Sequence, residues 1–183
     1  MASTYNTAKQ IYADFGVDTE KALKVLDEIP LSMHCWQGDD VGGFEAPDAT
    51  LGCGGIQTTG NFPGKARSVG ELRDDIAEAL KYIPGRTRLN LHAIYGEFGG
   101  KKVARDEISF EHFKGWADWC KSRKMGMDFN PTFFSHPLAA DGFTLSSADK
   151  SVRKFWIRHG IACRKIAEKI GKTLSDTVVT NFW

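Results

Sequence analysis

The chain has 183 residues, 42% of them hydrophobic, which is enough for one domain with a real core. Its net charge of +1 provides no large basic field, so nucleic acid is a poor partner. No apolar run approaches the ~20 residues of a membrane helix, and the first residues lack a charged start leading into an apolar stretch. The four cysteines, Cys35, Cys53, Cys120 and Cys163, form no CxxC and have no histidine at zinc-finger spacing. Free thiols in a reducing compartment are expected. Together these features predict a soluble, cytoplasmic protein with neither nucleic acid nor membrane as partner.

In chain order, a first helix is predicted over residues 3–14. The second is better marked. Ala22, Val25, Leu26 and Ile29 recur at helical spacing behind Asp18, which caps Thr19, and Pro30 closes the segment. Residues 31–36 read as the first strand. A Gly-rich stretch follows over 37–67, longer than connections that serve no function. Ser68 and Glu71 make a capping box, each side chain poised to bond the other's amide. The helix it opens carries Leu72, Ile76, Ala79, Leu80 and Ile83 and stops at Pro84-Gly85. Residues 88–95 read as the second strand and 96–106 as a polar loop. Ser109 caps a helix with Phe113, Trp116, Ala117 and Cys120 on one face. Residues 125–129 form the third strand, ended by Asn130-Pro131. After a loop to about residue 146, a long helix sets Val152, Phe155, Trp156, His159, Cys163, Ile166 and Ile170 on one stripe, with Gly171 as its stop. Residues 177–183 read as a fourth, buried strand. A parallel strand needs a crossover helix and a further neighbour. None follows here, so the chain is expected to be the N-terminal part of a larger α/β enzyme.

Strands alternating with helices imply a parallel sheet with right-handed crossovers. Two closures satisfy the pattern: half of a (β/α)8 barrel, or a small doubly wound sheet. No Gly-x-Gly-x-x-Gly turn follows the first strand. The helix before that strand and the long loops after strands suit the barrel, whose chemistry sits at the C-terminal strand ends. There the sequence places His34, Trp36, Asp39 and Asp40, then His92 and Tyr95, then Asp128, Asn130 and His136, and last Asn181 and Trp183. Polar groups among aromatic walls suit a polyhydroxylated ligand. Each residue also has a bland reading. His34 and His92 serve equally as core histidines, Asp39-Asp40 as a turn pair, and Asp128 as a loop cap. His159 lies on an apolar stripe and reads as structural, His112 as surface. A hard divalent cation wants several carboxylate oxygens, and no carboxylate pair or H-x-x-x-H spacing supplies them. No Gly-x-Ser-x-Gly elbow or P-loop appears. Pattern alone reaches an enzyme of sugars or small polar metabolites.

Five runs carry a sharper signal. They are Ser32-Met33-His34-Cys35-Trp36-Gln37-Gly38-Asp39-Asp40-Val41, Thr59-Gly60-Asn61-Phe62-Pro63-Gly64-Lys65-Ala66-Arg67, and Leu89-Asn90-Leu91-His92-Ala93-Ile94-Tyr95. With them go Asp128-Phe129-Asn130-Pro131, and Ser135-His136-Pro137-Leu138 running on to Asp141-Gly142-Phe143-Thr144-Leu145-Ser146. In this order they resemble the L-rhamnose isomerase family, over nearly the whole chain but less than half of the family's usual length. The resemblance implies a (β/α)8 TIM barrel like that of xylose isomerase. Residues 1–183 would then be a single unit, its first half, with four parallel strands and truncation after the fourth. It also implies a role in carbohydrate metabolism: aldose–ketose isomerisation of L-rhamnose to L-rhamnulose. Two divalent ions, usually Mn2+, would polarise the sugar oxygens, and the full-length enzyme would form a tetramer. Carried over by position, His92 matches a sugar-contacting histidine and Trp183 a tryptophan wall beside the substrate. Val41, Leu51, Ile94 and Tyr95 match the apolar pocket for the sugar's 6-methyl end. Cys53 and Thr59 depart mildly from the pattern around Leu51. The family's metal-binding residues fall beyond Trp183, so the resemblance implies no metal ligand in this chain and no activity from it alone. The competing reading is a non-catalytic half-barrel, a sugar-binding or assembly module whose open edges pair with a second copy.

Overall fold

A computed structural model describes residues 4–35, 43–45 and 66–182. Among them, three parallel strands stand side by side in chain order: β1 (Leu31–His34), β2 (Thr87–His92) and β3 (Gly126–Asn130). Helices α1 (Thr4–Asp14) and α2 (Thr19–Glu28) precede β1. Helix α3 (Val69–Leu80) joins β1 to β2, α4 (Lys114–Ser122) joins β2 to β3, and α5 (Lys150–Leu174) follows β3. The register sets Met33 level with Leu89, Leu89 with Met127, and Leu91 with Phe129. It also sets Ser32 level with Arg88, His34 with Asn90, Asn90 with Asp128, and His92 with Asn130. Successive strand residues point to opposite faces, so the sheet has one apolar face and one polar face.

Helices α3, α4 and α5 all pack on the apolar face. Leu72 and Ile76 of α3, Trp116 and Cys120 of α4, and Cys163, Ile166 and Ile170 of α5 share one core with Met33, Leu89, Leu91, Met127 and Phe129. Each such aliphatic or aromatic side chain contributes about 1.5–3 kcal/mol by leaving water. A doubly wound sheet carries helices on both faces. Sequential strand order with helices on a single face is instead consistent with part of a barrel.

Local chemistry explains the element ends. Asp18 accepts from the Lys21 amide at 3.1 Å and starts α2. Ser68 accepts from the Glu71 amide at 3.2 Å, but Glu71 Oε2 takes the Arg67 amide, at 2.7 Å, so only half of the expected box closes. His112 closes a turn at Ser109, whose amide donates to His112 Nδ1 at 3.0 Å, and α4 proper begins later, at Lys114. Gly171 does not stop α5. The helix runs to Leu174 and ends on Ser175 in the left-handed region, φ 54°. Gly171 provides clearance instead, since a Cβ there would lie 2.9 Å from the Asp176 carbonyl. Neither α1 nor α2 buries a residue. The stripe of Val25, Leu26 and Ile29 stands open, and the two helices are tied by Tyr5 and Lys9, each donating to Glu20 at 2.9 Å.

The expected fourth strand does not form over residues 177–182. That segment lies beside β3, and the Phe129 amide donates to the Val179 carbonyl at 3.0 Å. The next two donors go to side chains: the Val179 amide to Asp128 Oδ1 and the Asn181 amide to Asn130 Oδ1, each at 3.0 Å. Side-chain acceptors stand in for strand carbonyls, and the ladder stops.

Asp128 is the hub of the polar face. Its carboxylate accepts from Ser32 Oγ at 2.6 Å, from Arg88 Nε at 3.1 Å and Nη2 at 2.9 Å, and from the Val179 amide. Arg88 also pairs with Asp176, and Gly126 leaves room for its guanidinium. Burial alone would raise the Asp128 pKa. The bonds from Arg88, Ser32 and Val179 outweigh burial and hold it below the usual carboxylate value. Arg88→Met leaves this buried carboxylate unpaired and is expected to cost about 3–5 kcal/mol in urea unfolding at neutral pH. The Asp128 contribution is full above the unfolded pKa of ~3.9 and is lost as pH falls through the lower folded value. The gap between wild type and variant should therefore narrow in that acid range.

Candidate functional site

At the C-terminal strand ends the polar face presents His34, Asn90, His92 and Asn130, the last three buried. Asn130 Nδ2 donates to Asn90 Oδ1 at 2.6 Å and lies 3.4 Å from His92 Nε2. Asn90 Nδ2 lies 3.3 Å from His34 Nε2, and Thr132 Oγ1 3.4 Å from His92 Nδ1. The two imidazoles sit 5.8 Å apart between ring centres, with Phe134 6.0 Å from His92. Burial, reinforced by the neighbouring His34 and Arg105, pushes the His92 pKa down to about 3. Burial also lowers that of His34. Burial thus favours the neutral form of both rings. His92 has 0% exposure, so a ligand meets its ring only once a covering group moves.

Arg105 organises the rim above this wall. It comes from the loop after β2 and is 3% exposed. Its Nε donates to the Glu45 carboxylate at 2.9 and 3.0 Å, in the segment after β1. Its Nη1 reaches the carbonyls of Thr132 at 2.8 Å and Phe134 at 2.6 Å, and Nη2 that of Ser135 at 2.9 Å, all in the loop after β3. One planar fork thus joins the connections that follow three strands. The Arg105 carbonyl accepts from His159 Nδ1 at 2.8 Å, and His159 Nε2 accepts from the Thr132 amide at 3.0 Å. His159 is therefore structural, as its place on an apolar stripe suggests. Burial pushes its pKa down to about 4.

The residues singled out in the sequence go to different places. Asp128 is committed to the Arg88 network. His136 Nδ1 accepts from the Leu138 amide at 3.0 Å, and its ring stacks on Phe155 at 5.1 Å. The second strand ends at His92, and Ala93–Tyr95 is a tight 3-10 turn. There Ile94 and Tyr95 are buried in the core on the helix side. The Ile94 carbonyl accepts from the Phe44 amide at 2.8 Å and that of Tyr95 from Trp116 Nε1 at 2.8 Å. Trp36, Asp39, Asp40, Val41, Leu51, Cys53, Thr59 and Trp183 lie outside the described residues. Arg105, Asn90 and Thr132 were not foreseen. Arg105 and Thr132 lie in no run that stands out, because their partners are remote in the chain, whereas Asn90 lies in the run 89–95 with no role assigned to it.

Among the described residues no three His, Cys, Asp or Glu side chains lie together as a cation's ligand set. The Asp128 oxygens are taken by donors, and the rest of the wall is neutral amide and imidazole. These residues by themselves do not fit a hard divalent ion, which wants several carboxylate oxygens. Cys35, Cys120 and Cys163 are buried, and burial pushes the Cys120 thiol up to about 12. Among the described residues no helix is long and apolar enough to cross a membrane.

Two outcomes follow from the rim. Arg105→Lys loses the fork and leaves carbonyls unpaired, and chemical denaturation should register a loss of about 1.5–3 kcal/mol. His159 stays neutral in the fold while the unfolded chain takes a proton below pH ~6.5, so stability falls as pH drops from there toward the folded value. His159→Gln should remove up to about 1.4 kcal/mol per pH unit of that slope, read from denaturation curves at stepped pH.

Comparison with known proteins bears on the whole chain. The family model described as L-rhamnose isomerase (RhaA) matches residues 1–183. A protein named L-rhamnose isomerase from Rhodopirellula baltica is 54% identical over 179 residues, covering 98% of this chain and 42% of the relative. Proteins of the same name from Escherichia coli and Escherichia fergusonii are each 55% identical over 183 residues, 100% of this chain and 43% of the relative. The chain thus spans less than half the length of the curated relatives it matches. With a family match over all 183 residues and more than half of the positions identical, the chain belongs to the L-rhamnose isomerase family.

Proposed function

We propose that this chain supplies part of the sugar-binding wall of an enzyme that isomerises L-rhamnose, an aldose, to L-rhamnulose, a ketose. One observation carries the reading. A parallel sheet in chain order keeps its helices on one face and turns a neutral, hydrogen-bonding wall of His34, Asn90, His92 and Asn130 to the other. Such a wall suits hydroxyl groups, which both donate and accept. The identity with proteins named for this activity supports the choice of sugar.

In this reading residues 1–183 form one unit, the N-terminal part of a (β/α)8 barrel. His92 meets the sugar after a covering group moves, and Trp183 forms a wall beside it. Val41, Leu51, Ile94 and Tyr95 shape the pocket for the 6-methyl, with Ile94 and Tyr95 backing it from the core. Burying one methyl there contributes about 0.8 kcal/mol, a modest preference over a hydroxylated analogue. Divalent ions, Mn2+ foremost, would act as Lewis acids on the sugar oxygens. Their ligands belong to the part of the relatives that this chain does not match. The full-length protein is cytoplasmic, assembles as a tetramer and uses neither nucleic acid nor membrane.

The test is a chimera in which this segment replaces the matching part of the Escherichia coli relative. With Mn2+ it should form L-rhamnulose from L-rhamnose, and His92→Gln should lower kcat/KM at least tenfold. The 183-residue chain alone, purified from a host lacking the enzyme, should form none. An inactive, folded chimera would sink the functional reading, and turnover by the chain alone would overturn the division of labour.

A further inference from the structure

Hydrogen bonds have a sense, and one end of the polar array is set by a group that can only donate. The Asn181 backbone N–H points at Asn130 Oδ1, 3.0 Å away. Asn130 must then turn its Nδ2 inward, where Asn90 Oδ1 stands at 2.6 Å and His92 Nε2 at 3.4 Å. Its two amide hydrogens serve both. Asn90, accepting at Oδ1, presents its own Nδ2 to His34 Nε2 at 3.3 Å. Each imidazole therefore meets a donor at Nε2 and must hold a lone pair there. In a neutral ring the proton is then on Nδ1, and at His92 it faces Thr132 Oγ1 at 3.4 Å. Amide orientation and tautomer are decided by such networks, and this one runs from a backbone amide with no freedom to reverse.

We propose that Asn130 is a positioning residue: held by the Asn181 amide, it sets the tautomer of His92 and, through Asn90, that of His34. The wall then offers acceptor nitrogens rather than N–H donors at Nε2. The Asn130 contact to His92 is longer than the usual 2.7–3.2 Å, so an incoming hydroxyl displaces it easily and binds as a donor. This consequence for ligands rests on the sugar-site reading above, whereas the tautomers do not. The depressed pKa values of both rings agree with neutral imidazoles.

Proton–nitrogen correlation spectra of protein isotope-labelled in its histidine rings report which ring nitrogen is protonated. They are recorded near neutral pH on the 183-residue chain and on the full-length chimera. His92 and His34 should both show a protonated Nδ1 and a bare Nε2. Asn130→Asp keeps the bond to the Asn181 amide but has no hydrogen to give. It should turn Asn90 over and move the proton to Nε2 in both rings. Thr132→Val, which removes the hydroxyl beside His92 Nδ1 and leaves Asn130 untouched, should leave Nε2 bare. A protonated Nε2 on either ring of the wild type, or unchanged tautomers in folded Asn130→Asp, overturns the proposal. If that variant does not fold, the wild-type spectrum decides by itself. Titrating the chimera with L-rhamnose separates the two readings: His92 signals that ignore the sugar while keeping the expected tautomer sink the sugar site and leave the tautomer assignment standing.

Discussion

A buried carboxylate cannot exist without donors, and Asp128 makes the polar face of this sheet possible by collecting them from every neighbour. Ser32 comes from β1, Arg88 from β2 and the Val179 amide from the segment after α5. Each would be a costly polar group on a face that no described helix covers. Joined at one anion, they satisfy one another. The apolar face needs only helices with matching stripes, and hydrophobic burial supplies them without direction. The polar face needs geometry.

Two arginines divide that work along the strands. Arg88 lies at the level of Ser32 and Gly126 and closes the lower layer around Asp128. Arg105 lies above the strand ends and gathers Glu45 with three carbonyls of the loop after β3. A guanidinium suits both places because its fork is planar and carries five donors. Beside and above Asp128, which stands level with Asn90, the wall is of neutral amides and imidazoles. These neutral groups can both donate to and accept from hydroxyl groups.

The committed state of Asp128 also bears on metal chemistry. A carboxylate at a strand end looks like a cation ligand in sequence. In the fold its oxygens already accept from an arginine, a serine and a backbone amide, and a cation would have to displace them all. The described residues by themselves therefore do not offer a cation several free carboxylate oxygens.

Local signals in the sequence were enough for the first three strands, the helices and the stripes of the helices packed on them. Met33, Leu89, Met127 and the Trp116 and Cys163 faces follow from periods of two and 3.6 residues, which backbone geometry imposes on any chain. Caps at Asp18 and Ser68 are equally local. Family resemblance singles out His92 but does not reveal its complete burial or the amides beside it. Tertiary contacts decided the rest. Glu71 turned to the Arg67 amide, Gly171 served packing rather than termination, and the stripe on α2 found no cover among the described residues. The segment at 177–182 gave two amides to Asp128 and Asn130 instead of to a strand carbonyl. Nor could periodicity reveal that Arg105 binds Glu45, or that the Asn181 amide orients Asn130. A hydrogen bond between residues fifty or more positions apart leaves no period in the chain, because its distance and direction exist only once the strands are side by side.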